Sequence, residues 1–214
     1  MTGDDRPHRR NAAWIGYGVP LAAGVLGLTA RAVTAHDRGT SWLDVLSALL
    51  IVFAGCLLFA VALIRMFAWQ DRVRTRALRS LSPAAFIVTV ATDPTLVSQV
   101  NRFSLESTGR RTRLIASAYV SLVADRGEVG FYRGSRKPRL VAAFPSSVVR
   151  RVELGSSQAG ARMIPCLDLV CEDGAAHGRL SVHLIRFGPV LLGFLRDDSL
   201  ADAARRFGEA VGIE

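Results

Sequence analysis

The chain has 214 residues, half of them hydrophobic, and 27 Lys and Arg against 18 Asp and Glu give it a formal net charge of +9. That length accommodates one domain of ordinary size plus something smaller. A mean hydropathy of +0.28 excludes an evenly soluble composition, because the apolar excess lies in two blocks before residue 66.

The first block, Ala12 to Ala30 (AAWIGYGVPLAAGVLGLTA), carries no charge, and the second, Val45 to Ile64 (VLSALLIVFAGCLLFAVALI), has Ser47 as its one clearly polar side chain. Each approaches the ~20 residues that cross a hydrocarbon core as a helix. Helix is required there, since lipid offers no partner to free backbone N–H and C=O groups. Trp14, Tyr17, Trp42 and Trp69 fall near the block ends, where amphipathic aromatics favour the interface. A cleaved signal peptide ending near Ala30-Arg31-Ala32 is the competing reading of the first block; its length and Pro20 count against it.

The expected order is therefore a tail (1–11), a first membrane helix (12–33), a short loop (34–42), a second membrane helix (43–65) and a basic juxtamembrane linker (66–82). Arg6, Arg9 and Arg10 precede the first helix, and Arg65, Arg72, Arg74, Arg76 and Arg79 follow the second. The connecting stretch, counted over residues 31–44, has only Arg31 and Arg38, offset by Asp37 and Asp44. The positive-inside rule then places the chain in the plasma (inner) membrane with both termini cytoplasmic. Neither helix holds an ionisable residue near its centre, which argues against transport. The Arg72, Arg74, Arg76 and Arg79 cluster reads as a stop-transfer flank or as a holder of anionic lipid headgroups. Either way it belongs at the membrane face, so nucleic acid is not expected as a partner in spite of a pI near 10.8.

Residues 83–214 read as a cytoplasmic domain with about seven short strands. Ala85–Ala91 is β-branched and strand-like. Thr92-Asp93-Pro94 signals a helix start, and Leu96, Val97, Val100 and Phe103 carry the helix to about Leu105. Ser117–Ala124 and Val129–Arg133 form a hairpin around Asp125-Arg126-Gly127-Glu128. Gly134–Pro138 leads to a strand at Leu140–Phe144, and Val148, Val149 and Val152 suggest a further short one. Gly155 to Gly160 (GSSQAG) is expected to be a flexible connector. Met163–Glu172 and Arg179–Ile185 form another hairpin, and Ser199 with Asp202 opens a terminal amphipathic helix to Val211.

This order, with the SAYVSLVADRGEVGFYRG hairpin and the SLADAARRFGEAVG helix, resembles the pleckstrin-homology-like (PH-like) fold. More narrowly, it is similar to small bacterial membrane proteins, of the actinobacterial type, that carry a PH-like domain beside a transmembrane hairpin. The resemblance implies an α+β domain, an antiparallel barrel or sandwich capped by a C-terminal helix, joined to a membrane α-hairpin. The helix after the first strand departs from the simplest form of that fold.

Chemistry is sparse. The sequence has no G-x-S-x-G, phosphate-loop or dinucleotide fingerprint. His177 and His183 lack a third ligand at zinc spacing. Cys166 and Cys171 are five apart in one strand, an odd offset that puts them on opposite faces as plain buried thiols. No enzyme, metal site or cofactor is expected. Arg133, Arg136, Lys137 and Arg139 place four cations in seven positions around Gly134–Pro138. Such a loop holds a phosphate or carboxylate, and the resemblance implies headgroup binding there; a solvated basic turn is the plainer reading. Function is thus expected to be that of a membrane-tethered, non-catalytic module for anionic lipid headgroups or a protein partner. The alternative is an assembly subunit that pairs its helices with another membrane protein or with copies of itself.

Overall fold

The computed structural model of the chain describes residues 41–109, 111–116, 118–159, 162–187 and 192–213. The expected tail (1–11), the first membrane helix (12–33) and nearly all of the loop (34–42) lie outside the described residues. The chain divides into a unit ending at Ala62 and a second from Leu63 to Glu214.

Helix α1 is Trp42–Leu81, 40 residues, about 60 Å at 1.5 Å per residue. It is long and apolar enough to cross a membrane. In the first unit its side chains are exposed all round, Leu43, Leu50, Ile51, Phe53 and Leu58 most of all, as a lipid-facing helix requires.

The second unit begins on the same helix, upstream of residue 83, and takes in the stretch 66–82 expected as a juxtamembrane linker. That stretch is helical to Leu81, and Ala68, Arg74 and Leu78 are buried. After it come β1 (Phe86–Thr92), α2 (Pro94–Thr108), β2 (Ala118–Ala124), β3 (Glu128–Arg133) and β4 (Arg139–Pro145). A 3-10 turn at Ser146–Val148 leads to β5 (Val149–Ala159), β6 (Arg162–Asp173), β7 (Ala176–Phe187), β8 (Leu192–Phe194) and α3 (Asp197–Val211).

The strands pair antiparallel in the order β4-β3-β2-β1-β7-β6-β5, with β8 also on β7. Alternation along each strand sends one set of side chains inward. Val90, Val120, Leu122, Phe131 and Phe144 from one half meet Leu167, Leu169, Leu180, Val182 and Leu184 from the other in a single core. Strand β7 links the halves: Leu180 and Val182 pair with β6, whereas His183 to Ile185 pair with β1.

The two shorter helices close the core. Asp93 caps α2 by accepting the Leu96 N–H at 2.6 Å and Pro94 follows, as the sequence predicts; the helix runs past the expected end at Leu105 to Thr108, where Gly109 closes it in the left-handed conformation. On β7, Ser181 donates its N–H to Gln99 Oε1 at 2.9 Å, so a side chain of α2 satisfies a strand group. Helix α3 buries Leu200, Ala203, Phe207 and Val211, with Phe207 edge-on to Phe86. Ser199 stands three residues into α3 rather than at its cap; it accepts the Arg196 N–H at 3.3 Å. The GSSQAG stretch is also corrected: Gly155 to Ala159 continue β5 and pair with β6. A Cβ on Gly155 would lie 2.8 Å from Asp168 Cγ, so this glycine is what admits the Asp168 carboxylate against the strand.

Candidate functional site

Phe67, Gln70, Asp71 and Arg74 are spaced i, i+3, i+4, i+7 and so share one face of α1. That face lies on the side of the first half-sheet opposite the core. Thr89 of β1 and Ser121 of β2 are register partners there, and both are buried. Arg74 donates from Nε to Ser121 Oγ at 2.7 Å, from one terminal nitrogen to the Tyr119 carbonyl at 3.0 Å, and from the other to Asp71 Oδ1 at 2.8 Å. Thr89 donates its hydroxyl to the same Oδ1. Burial pulls the Arg74 guanidinium below its ordinary value while Asp71 pulls it back up. Each of the three nitrogens is engaged and Asp71 compensates the charge, so Arg74 ties the helix to the sheet rather than presenting a free cation. Arg72, Arg76 and Arg79 are exposed, so the predicted cluster of four divides into three surface cations and one structural one.

Beside this anchor is a cleft of about 240 Å³, lined by Phe67, Gln70, Asp71, Arg74, Tyr119, Arg133, Gly134, Ser135 and Phe187. Its aromatic wall is a chain of edge contacts: Phe67 to Tyr119 at 5.8 Å between centroids, and Tyr119 to Phe187 at 5.6 Å. The β3–β4 loop forms the opposite side. Gly134 turns the chain at φ +96, a conformation that glycine adopts without strain.

Of the four predicted loop cations, the fold brings Arg133 to the cleft and leaves Arg136, Lys137 and Arg139 on the exposed loop around it. Arg133 and Arg139 are register partners across the hairpin, an arrangement in which like charges repel. Among the described residues no carboxylate lies within 4 Å of any of the four. The loop is thus a concentration of positive charge with no internal counter-ion.

A second polar group lies between β5, β6, β7 and the start of α2. His183, almost fully buried, has Nε2 2.8 Å from Ser157 Oγ and 3.3 Å from Asp93 Oδ2, and Nδ1 3.4 Å from the Pro165 carbonyl. Ser157 and Asp93 both face the same ring nitrogen. A nucleophile relay needs the base between them, one partner on each nitrogen, so this arrangement is structural. Hydrogen bonds from His183 and the Leu96 N–H hold the Asp93 carboxyl below its ordinary value against desolvation, which is the largest single influence and raises it. Sequence spacing gave no hint of this group, since Ser157 and Asp93 are 26 and 90 positions from His183. His177 is exposed, 3.9 Å from Glu172.

Cys166 and Cys171 are buried and unpaired. Cys171 belongs to the core, while Cys166 faces the other way, 3.4 Å from Asp168 Oδ1, in keeping with the odd spacing. Burial pushes both thiols up to about 12. Among the described residues no cluster of His, Cys, Asp and Glu is arranged to hold a metal ion.

Compared with known proteins, the chain matches no family model, no curated protein and no solved structure. The functional reading therefore rests on the chemistry of the cleft and its loop.

Proposed function

We propose that the chain is a membrane-anchored, non-catalytic binding module that captures anionic lipid headgroups at the cytoplasmic face of the plasma (inner) membrane. The observation that carries this reading is the position of Arg133. It stands on a cleft whose other wall is the first two turns of helix after the apolar run, within a loop of cations that has no acidic partner among the described residues. From Arg65, the first charge after the apolar run, to Asp71 is six residues of α1, about 9 Å along its axis. The headgroup layer on each side of a hydrocarbon core is of comparable depth, roughly 5–8 Å. The exposed Arg72, Arg76 and Arg79 add attraction for an anionic surface. Two half-sheets around one core with a C-terminal helix against β5 and β6 support a PH-like classification of the domain.

The test uses the full chain in nanodiscs, with hydrogen exchange measured over residues 133–139. Anionic lipid should slow exchange in this loop relative to phosphatidylcholine, less so at high salt. Replacing all four cations by Gln should remove the difference. Equal exchange in both lipids overturns the reading.

A further inference from the structure

Asp71 divides its two oxygens between different tasks. Oδ1 accepts from both Arg74 and Thr89. Among the described residues Oδ2 accepts from nothing, and no buried side-chain oxygen is left without a partner, so Oδ2 is open to the cleft that Asp71 lines. The cleft therefore offers one available cation, Arg133, and one available anionic acceptor. Gln70 and Ser135 supply neutral polar groups, and the three rings form an apolar wall.

We infer that the cleft takes a hydroxylated phosphodiester, with the glycerol headgroup of phosphatidylglycerol as its lipid form, and discriminates against anions that bring further negative charge. This rests on the headgroup reading above and specifies its ligand. Of the charged side chains that line the cleft itself, Asp71, Arg74 and Arg133 together leave one positive charge, which a singly charged phosphodiester neutralises, while Arg136, Lys137 and Arg139 stay outside in solvent. Arg133 donates to the phosphate oxygens. A hydroxyl of the headgroup donates to Asp71 Oδ2, the hydrogen bond that this oxygen lacks, while the carbon chain lies on Phe67 and Tyr119. A phosphate monoester, with up to two charges, or a headgroup carboxylate would instead meet Oδ2 as a like charge in a half-buried site, where repulsion is stronger than in water. Selection therefore works by exclusion as well as by attraction. The volume, below the 300–1,000 Å³ usual for whole-molecule pockets, suits a headgroup.

The experiment is native mass spectrometry of the full-length protein in detergent with equimolar phosphatidylglycerol, phosphatidic acid, phosphatidylserine and phosphatidylcholine of matched acyl chains. Phosphatidylglycerol should be retained at least fivefold over each of the others. Asp71→Asn, which keeps an acceptor for Arg74 and Thr89, should let phosphatidic acid bind as well as phosphatidylglycerol. Ser135→Phe, outside the Asp71–Arg74 network, should fill the cleft and abolish the preference even if Asp71→Asn fails to fold. Excess soluble glycerophosphoglycerol should not displace the lipid; displacement at equal concentration overturns the lipid source. Phosphatidic acid or phosphatidylserine bound as well as phosphatidylglycerol by the wild type overturns the inference but leaves the headgroup reading. Phosphatidylcholine retained equally with all three overturns both.

Discussion

Arg74 of helix α1 reaches Ser121 of β2 across 47 positions of sequence and donates to its hydroxyl at 2.7 Å. This contact ties the segment that follows the apolar run to the sheet. Removing one member of a buried ion pair leaves the other uncompensated, at a cost of about 3–5 kcal/mol. Arg74→Met should therefore lower the stability of the Leu63–Glu214 unit by about 3 kcal/mol in denaturant titration of the full chain in detergent. Arg72→Gln, at an exposed neighbour, should change it by less than about 0.5 kcal/mol. Equal effects would mean that the anchor contributes nothing.

Gly155 provides a check on the β5–β6 register. A methyl group there overlaps the Asp168 carboxylate, so Gly155→Ala should destabilise by about 1–3 kcal/mol. Adding Asp168→Ser, which shortens the opposing side chain, should recover part of that loss in a double-mutant cycle. Independent, additive effects would contradict the packing.

Acid should act through Asp93. Its carboxyl is held below the ordinary range in the folded chain. It therefore contributes stability that is present above the unfolded value near 3.9 and is lost as pH falls through the folded one. Asp93→Asn preserves a good helix cap but cannot ionise. Between pH 6 and pH 3 the loss of urea stability should be shallower in this variant than in the wild type. Parallel curves would remove Asp93 from the acid response.

The two thiols pushed up to about 12 should be nearly free of thiolate at pH 8 and sterically shielded. Iodoacetamide should leave Cys166 and Cys171 unmodified in the native protein and alkylate both within minutes in denaturant, read by peptide mass spectrometry. Rapid native labelling of Cys171 would contradict its place in the core.

Features that depend on neighbours in sequence are legible locally. The charge-free run Val45–Ile64 marks the apolar half of α1, the Asp93-Pro94 start and the Phe103 face mark α2, and the odd Cys166–Cys171 offset puts those side chains on opposite faces. Each follows from the period of a helix or strand, which a chain carries whatever surrounds it. The basic loop was legible for the same reason, as four cations in seven residues.

What periodicity could not supply was the partner of each face. Phe67, Gln70, Asp71 and Arg74 share a stripe in the sequence, yet five arginines after an apolar run read as one flank. Only the sheet, by presenting Thr89 and Ser121 as a cross-strand pair, separates Arg74 from Arg72, Arg76 and Arg79. Likewise GSSQAG has the composition of a loop, and its Gly155 to Ala159 become strand because β6 offers a backbone ladder and Asp168 needs the space of a glycine. The sequence by itself determined the apolar helix, the alternating strands and the charge of the hairpin tip, since these are local free-energy preferences. The tertiary structure alone decided which cation is buried, which faces the cleft, and that one oxygen of Asp71 is left open, because those outcomes depend on groups brought together from distant parts of the chain.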